Sequence, residues 1–568
     1  MTNINILGIG GYSHDASAAL LCDGKLVAAV QEERLTRIKH QGGFPLESIR
    51  YCLKAGNIKS SDISAIAFYA KRSNWDRILF DMLKASLKNI HYTLFNMKGF
   101  INSIGYRIHK SLNFRADLQR FFYETGFNNN VFFDYDHHVC HAASGFYSSP
   151  FEKAIVLCID SVGDGKTTSF WLGQGHKINE ILPSIPFPHS IAHVYNRITK
   201  YLGFSSTGDE YKVMGLAAYG KPIYFDKLKD IVIYENTGYR LNMKYFSYQY
   251  EYSLSEKFYK EFGQPRMKGD KITEHHANMA ASMQKLFEDV LFHLALILKE
   301  KTRIKNLVIS GGAALNCKGN GKLLITGEFD IFVPPAASDL GTSIGAAQYH
   351  YHHIMDNPKY FRIKTDDLGP EYTDEEILNE LNRSGLKYEH LDNPAYKAAE
   401  LIANGKIVGW FQGHMEFGPR ALGYRSILAD PRKGNIKDKV NKTIKFREEF
   451  RPFAPSILRE FVTDYFNTDV DCPFMTYTLD ILPNKRDEVQ GIVHVDGSGR
   501  LQTVSQEDQP LYYSLIARFK ELTGVPVILN TSFNLAGEPI VCSPYDAIRT
   551  FYTCGMDALV IGKYLIQK

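Results

Sequence analysis

Nowhere in the chain do two cysteines stand three apart as C-x-x-C; eight are scattered over 568 residues. That spacing excludes a zinc finger or a disulfide framework and leaves reduced thiols, hence a cytoplasmic protein, as the expectation. Apolar runs of about 20 residues, long enough to span a bilayer, are also missing, so no membrane span is expected. A dominant charge is missing too. With 66 basic against 62 acidic residues the net charge is +4, too small to imply a nucleic-acid partner. The opening Met1 to Gly8 already reads as a strand, so no signal peptide is expected before the fold. At 44% hydrophobic and 23% charged the composition is that of a globular protein, and the length calls for two or three domains.

What is present is most pointed in Asp134-Tyr-Asp-His-His-Val-Cys-His-Ala-Ala143. The alanine-rich continuation predicts a helix, on which His137 and His141 share one face, the geometry of a metal-ligand pair. A polar helix start that is merely rich in histidine is the alternative. His138 is turned about 100° away and is expected to support the ligands or face a substrate.

Residues 4 to 31 read as three strands joined by the polar turn Gly10 to Ala16 and an Asp-Gly hairpin. The plan recurs at Ala154 to Ile159, with the turn Asp160 to Gly165 and the strand Thr167 to Leu172. Two such units predict a duplicated actin-like domain, the architecture of sugar kinases and Hsp70, with the turns facing each other. Residues 74 to 125 are expected to form an inserted helical lobe whose aromatics pack among themselves, or else a basic aromatic surface for lipid or glycan. Residues 222 to 272 read as a variable cap. Between these, Asp209, Glu210 and Lys212 form either a solvated turn or a phosphate and metal contact.

A long helix, His275 to Lys301, leads to the strand Asn306 to Ser310 and then Gly311-Gly-Ala-Ala-Leu-Asn316. Paired glycines opening a helix present free N–H groups to a phosphate or ribose, although an ordinary turn has the same pattern. Asp339, before an alanine-rich segment, is either an N-cap or the carboxylate that joins His137 and His141.

Taken together, Ser13-His-Asp-Ala-Ser17, Asp136 to His141, Gly208 to Ala218, Gly311 to Asn316 and Asp339-Leu-Gly-Thr342 resemble the N-terminal half of the O-carbamoyltransferase family. That family includes the nodulation-protein U, cephem and tobramycin carbamoyltransferase types. The same half is similar to the tRNA threonylcarbamoyl-transferring proteins of the actin-like (ASKHA) superfamily. After an expected linker at 356–394, the stretch 395–568 carries Arg420, Arg425, Lys445, Arg447, Arg451, Arg500, Asn530 and Ser532 among glycines, prolines and aromatics. Such arginines suit a small anion, whereas Arg447, beside Glu448 and Glu449, reads as a local ion pair. This half resembles a YrdC-like carbamoyl-activating α/β domain.

The resemblance implies an actin-like domain over 1–355 and an ATP-dependent O-carbamoyltransferase with two sites. Arg420, Lys445, Arg451, Arg500, Asn530 and Ser532 would bind carbamoyl phosphate, which ATP, with Mg2+, would convert to carbamoyl adenylate. His137, His141, Asp160 and Asp339 would hold a divalent metal, by resemblance iron(II), with Gly311, Gly312 and Asn316 at the nucleoside. His14 would be the general base for the acceptor hydroxyl, with Lys212 also catalytic. The acceptor would be a sugar, glycan or natural product, and a homodimer is compatible with the resemblance. A tRNA- or protein-modifying enzyme and an actin-like small-molecule kinase are the rivals. The near-neutral charge argues against the first, and the second has no use for the histidine pair or an arginine-rich domain.

Overall fold

A computed structural model describes residues 3–71, 113–128, 131–205, 208–247, 253–359 and 362–568. The first sheet has the order β3-β2-β1-β4-β5, from β1 (Asn5–Gly10), β2 (Ser17–Cys22), β3 (Lys25–Gln31), β4 (Ala65–Phe68) and β5 (Phe132–Asp134). β1 to β3 are antiparallel, and β4 and β5 run parallel to β1. The second sheet repeats this topology as β12-β11-β6-β7-β8, from β6 (Lys153–Gly163), β7 (Lys166–Gln174), β8 (Lys177–Pro186), β11 (Asn306–Ser310) and β12 (Asp330–Phe332). Three antiparallel strands followed by two parallel ones, twice over, make the duplicated actin-like domain. Between the sheets, the helix His137–Ser148 packs on β6 and β11, and the helix Thr342–Gln348 packs on β1 and β2 and against the first helix.

The alternating apolar residues of these strands fill the layers on both sides. Ile6, Leu7, Ala18, Leu20 and Ile66 are buried in the first half, and Ile155, Leu157, Leu307 and Ile309 in the second. The segment 222–272 is more than a cap. Its hairpin β9 (Val232–Glu235) and β10 (Gly238–Leu241) and the helix Glu256–Phe262 bury Tyr239, Leu241, Tyr245 and Phe258 in the main core. Of the expected helical lobe, 72–112 lies outside the described residues. The helical residues 113–125 pack on the first half, with Phe114 against Tyr12 and Phe121 stacked on Phe44.

The C-terminal part is one mixed sheet of nine strands in the order β13-β21-β20-β14-β15-β19-β16-β18-β17. Its strands are β13 (Glu389–His390), β14 (Val408–Phe411), β15 (Arg425–Ala429), β16 (Ala454–Leu458), β17 (Tyr477–Asp480), β18 (Ser498–Val504), β19 (Val527–Ser532), β20 (Ala558–Ile561) and β21 (Tyr564–Gln567). The segment 356–394 therefore carries structure of its own: the helix Asp374–Arg383, and β13 pairing with β21.

The two halves meet along three seams. Arg34 donates to Gly418 O at 2.9 Å, and Arg37 donates to Pro539 O and Ile540 O at 2.9 and 2.6 Å. In the middle, Asn320 donates to Thr476 O at 3.2 Å and Tyr477 to Ile331 O at 2.7 Å. At the third, Lys212 pairs with Glu448 at 3.0 Å.

Candidate functional site

The histidine helix starts where Asp136 accepts the N–H groups of His138 and Val139 at 3.0 and 3.3 Å, a helix N-cap. Asp164, on the turn after β6, takes the N–H of His137 at 2.9 Å. Beside it Gly163 makes room for the imidazole, since a Cβ there would lie 1.9 Å from His137 Cδ2. His137 and His141 thus converge, with Nε2 atoms 3.0 Å apart. Asp160, on β6, brings Oδ2 to 3.4 Å from His137 Nε2, and Asp339 brings Oδ1 to 3.6 and 3.4 Å from the two histidines. All four residues are buried.

This set fits a divalent metal. Its four ligand atoms lie within 4.8 Å of one another. Two donors each about 2.1 Å from one ion, at a right angle, would stand about 3 Å apart. Mixed imidazole and carboxylate donors suit Fe, Mn or Zn. Burial lowers the His137 pKa, but Asp339 and then Asp160 overcome it and raise the group to about 9. Burial raises the Asp339 carboxyl, but His137, His141 and His14 together outweigh it, so it ends below its ordinary range. Asp339 is accordingly a member of the cluster; Ser338, not Asp339, stands at the N-cap position of the adjoining turn.

His138 packs against both histidines of the cluster, its ring centroid 5.7 Å from that of His137 and 6.3 Å from that of His141. It is fully buried, with Nδ1 2.9 Å from Ser169 Oγ, and burial pushes it down to about 3, which keeps it neutral. His14 sits at the mouth of the cluster, half exposed, its Nε2 3.9 Å from Asp339 Oδ2. The hydrogen bond to Asp15 raises it to about 9, against its partial burial.

The glycine pair lies beside Asp160. Gly311, at φ 90°, packs where a Cβ would meet Ile159 O at 2.3 Å, and the Gly312 N–H donates to Asp160 Oδ1 at 3.1 Å. Asn316 caps the helix Cys317–Leu324 through Gly319 N–H at 2.9 Å and exchanges bonds with Gln284. Both therefore hold the metal cluster and the following helix in place.

In the C-terminal half Arg420, Lys445, Arg447, Arg451 and Arg500 form a cluster of cations. Burial first, and then Arg500, hold Arg420 below its ordinary range, and burial with Arg451 does the same to Arg447. Lys445, buried and near Arg447 and Arg451, is pushed well down. Burial also lowers Arg500, with Arg451 adding to it. Like charges brought together in low dielectric call for an anion between them.

Lys445 follows a π-turn and donates to Ser532 O and to Asn534 O and Oδ1, the last two at 3.0 and 2.9 Å. Ser532 is thus beside it. Arg447 is in this group rather than in the expected ion pair. The backbone turns at Phe446, φ 43°, so that Arg447 donates to Asn441 at 2.7 Å and lies over the Phe453 ring, while Glu448 goes to Lys212. No signal in the local sequence marks that reversal.

Two expected residues lie elsewhere. The amide of Asn530 is fully buried and spent on Ala421 O, Ser456 and Gln502 at 3.2, 3.1 and 3.0 Å, so it props the Arg420 loop. Lys212 pairs with Asp209 and Glu448 at 3.1 and 3.0 Å, on the cationic side of the molecule. Arg425 is likewise structural, fully buried and donating to the carbonyls of Pro370, Gln412 and Gly413.

The model of the carbamoyltransferase N-terminus matches residues 5–348, and that of the carbamoyltransferase C-terminus matches 399–568. The chain belongs to the carbamoyltransferase family. Among its relatives, the protein sll1178 of Synechocystis is 40% identical over 99% of this chain and 97% of its own length. Nodulation protein NolNO of Sinorhizobium fredii is 38% identical over 98% of this chain and 79% of its own. Nodulation protein NolO of Bradyrhizobium diazoefficiens is 40% identical, covering 76% of this chain and 79% of its own. As a carbamoyltransferase the chain is an enzyme. Among the described residues no helix is long and apolar enough to cross a membrane.

Proposed function

We propose that this carbamoyltransferase works in two stages, with ATP and carbamoyl phosphate as substrates and a hydroxyl as final acceptor. The supporting observation is the cluster of Arg420, Lys445, Arg447, Arg451 and Arg500, five cations with the Glu448 carboxylate at their edge, 3.6 Å from Arg451, beside Ser532. Planar guanidinium forks there suit the oxygens of carbamoyl phosphate and of the ATP phosphates.

Carbamoyl phosphate gives up inorganic phosphate to water. The carbamate released attacks the α-phosphorus of ATP, the bond to the β-phosphate oxygen breaks, and pyrophosphate leaves. The carbamoyl adenylate so formed carries a far better leaving group than carbamate and decays in water, so it must pass inward without release.

His137, His141, Asp160 and Asp339 would hold a divalent cation, by resemblance iron(II), which when bound supplies Lewis acidity and a template for donor and acceptor. His14 takes the proton of the acceptor hydroxyl as its oxygen attacks the carbamoyl carbon and AMP departs. The chain segment from Gly312, bonded to Asp160, to Cys317, which lies against Arg420 and Arg500, runs from one cluster to the other. The acceptor class follows the family: a sugar, glycan or other natural-product hydroxyl.

The test is ATP–pyrophosphate exchange in the absence of acceptor. Exchange that requires carbamoyl phosphate and is lost in Arg451→Ala supports the adenylate. Folded, metal-loaded protein that gives no exchange sinks the two-stage reading.

A further inference from the structure

The turn that carries His14 is held by a second histidine. Asp15 lies at φ 55° and His40 at φ 57°, two non-glycine residues in the left-handed region. Such backbones persist where surrounding contacts over-determine them, and they gather at functional sites. Here the two strained residues touch. Asp15 Oδ1 is 2.7 Å from His40 Nδ1, and Asp15 Oδ2 is 3.0 Å from His14 Nδ1.

The loop bearing His40 is fastened to the His14 turn from several directions. The Ala16 N–H donates to Gln41 O and the Gly43 N–H to Tyr12 O, both at 2.8 Å. Glu33 Oε2 accepts the His40 N–H at 2.9 Å. On the far side Gly208 closes over the ring, and a Cβ there would stand 3.0 Å from His40 Nε2.

A neutral imidazole whose Nδ1–H is taken by a carboxylate carries its lone pair on Nε2. For His14 that is the nitrogen directed at Asp339 and the metal cluster. A carboxylate tied on one side only can swing about its own axis and leave the ring unset. A donor on its other oxygen fixes the plane. We infer that His40 is a positioning residue for His14, acting through Asp15 so that His14 keeps Nε2 free toward the reacting hydroxyl. This rests on the reading of His14 as general base.

The experiment uses the full-length, metal-loaded protein with ATP and carbamoyl phosphate. Two rates are followed: AMP release with water as the only acceptor hydroxyl, and carbamoyl-phosphate-dependent ATP–pyrophosphate exchange. His40→Leu and Asp15→Asn are expected to slow AMP release by about tenfold or more, with exchange unchanged, since only the proton-transfer step is misaligned. His40→Asn keeps an N–H donor near the Nδ1 position and tolerates positive φ, so it is expected to recover most of the rate. A purely structural role would give no such split between the rates and no rescue by asparagine. His40→Leu that releases AMP at the wild-type rate, or His40→Asn as slow as His40→Leu, overturns the inference. His14→Ala separates the two ideas. If it is slow while His40→Leu is fast, only the positioning role falls; if it is as fast as wild type, the general-base reading falls and this inference with it.

Discussion

The guanidinium of Arg451 lies 4.4 Å above the ring of Tyr211, so an aromatic side chain of the actin-like half holds a cation of the C-terminal half. Glu448, three residues back, is shared between Arg451 at 3.6 Å and Lys212 at 3.0 Å. The cationic cluster is therefore shaped by both halves, and neither alone presents it in this form.

Arg451→Lys keeps the charge and loses the planar fork and the stacking. We expect carbamoyl-phosphate-dependent pyrophosphate exchange to fall roughly 10- to 100-fold, the worth of a charged hydrogen bond at about 1.5–3 kcal/mol. Tyr211→Ala should cost less, because it removes a cation–π contact and no ligand contact. Steady-state exchange on both variants checks this; a wild-type rate in Arg451→Lys would count against a bidentate role.

Anions should stabilise the fold. Arg420, Arg447 and Arg500 are held below their ordinary range by burial and by their neighbours, so a multivalent anion relieves repulsion in the folded state that the unfolded chain does not feel. Phosphate at 100 times its dissociation constant should add about 2.7 kcal/mol. Thermal melts with and without phosphate should show the rise, and a double variant Arg420→Ala with Arg500→Ala should lose it.

Metal binding should release a proton. His137 stands at about 9 without a cation, so at neutral pH the ion displaces a proton from the cluster. Affinity should climb with pH up to about 9 and flatten above. Calorimetric titration in two buffers of different ionisation enthalpy reads the released proton directly. Asp339→Ala should weaken binding, and heats identical in both buffers at pH 7 would contradict the prediction.

Acid should unfold the protein early. His138, His193 and His350 are lowered to about 3, 4 and 4, chiefly by burial. Their neutral forms belong to the fold, whereas the unfolded chain takes up protons near 6.5. Stability is complete above that pH and is lost as pH falls from 6.5 toward 4, by up to about 1.4 kcal/mol per unit for each group. Urea melts at pH 7, 6 and 5 give the slope, which His138→Gln should reduce.

The histidine pair was legible because four residues is a helical period, and the two hairpin units were legible because turn residues bracket short apolar runs. The period could say that His138 points elsewhere. It could not say that Ser169 of β7 waits there and meets its Nδ1. Asp160 and Asp339 come from a different strand and a different turn; Asp339 could be read as a joining carboxylate or as an N-cap, and only the resemblance brought in Asp160. Arg447 was misread for the opposite reason: Glu448 and Glu449 are neighbours in sequence, but the positive φ at Phe446 sends them apart. Asn530 and Ser532 both lie on β19 at a two-residue spacing, and what separates their roles is depth, which strand alternation does not encode.

The seam between the halves makes the consequences of sequence drift unequal on its two sides. Arg34 and Arg37 reach for carbonyl oxygens of Gly418, Pro539 and Ile540, and a carbonyl is present whatever residue carries it. Side chains at the receiving positions can change without erasing the acceptor, while either arginine, once replaced, takes its bonds with it. Apart from the Asp546 carboxylate, 3.4 Å from Arg37, the contact is thus written in one partner only.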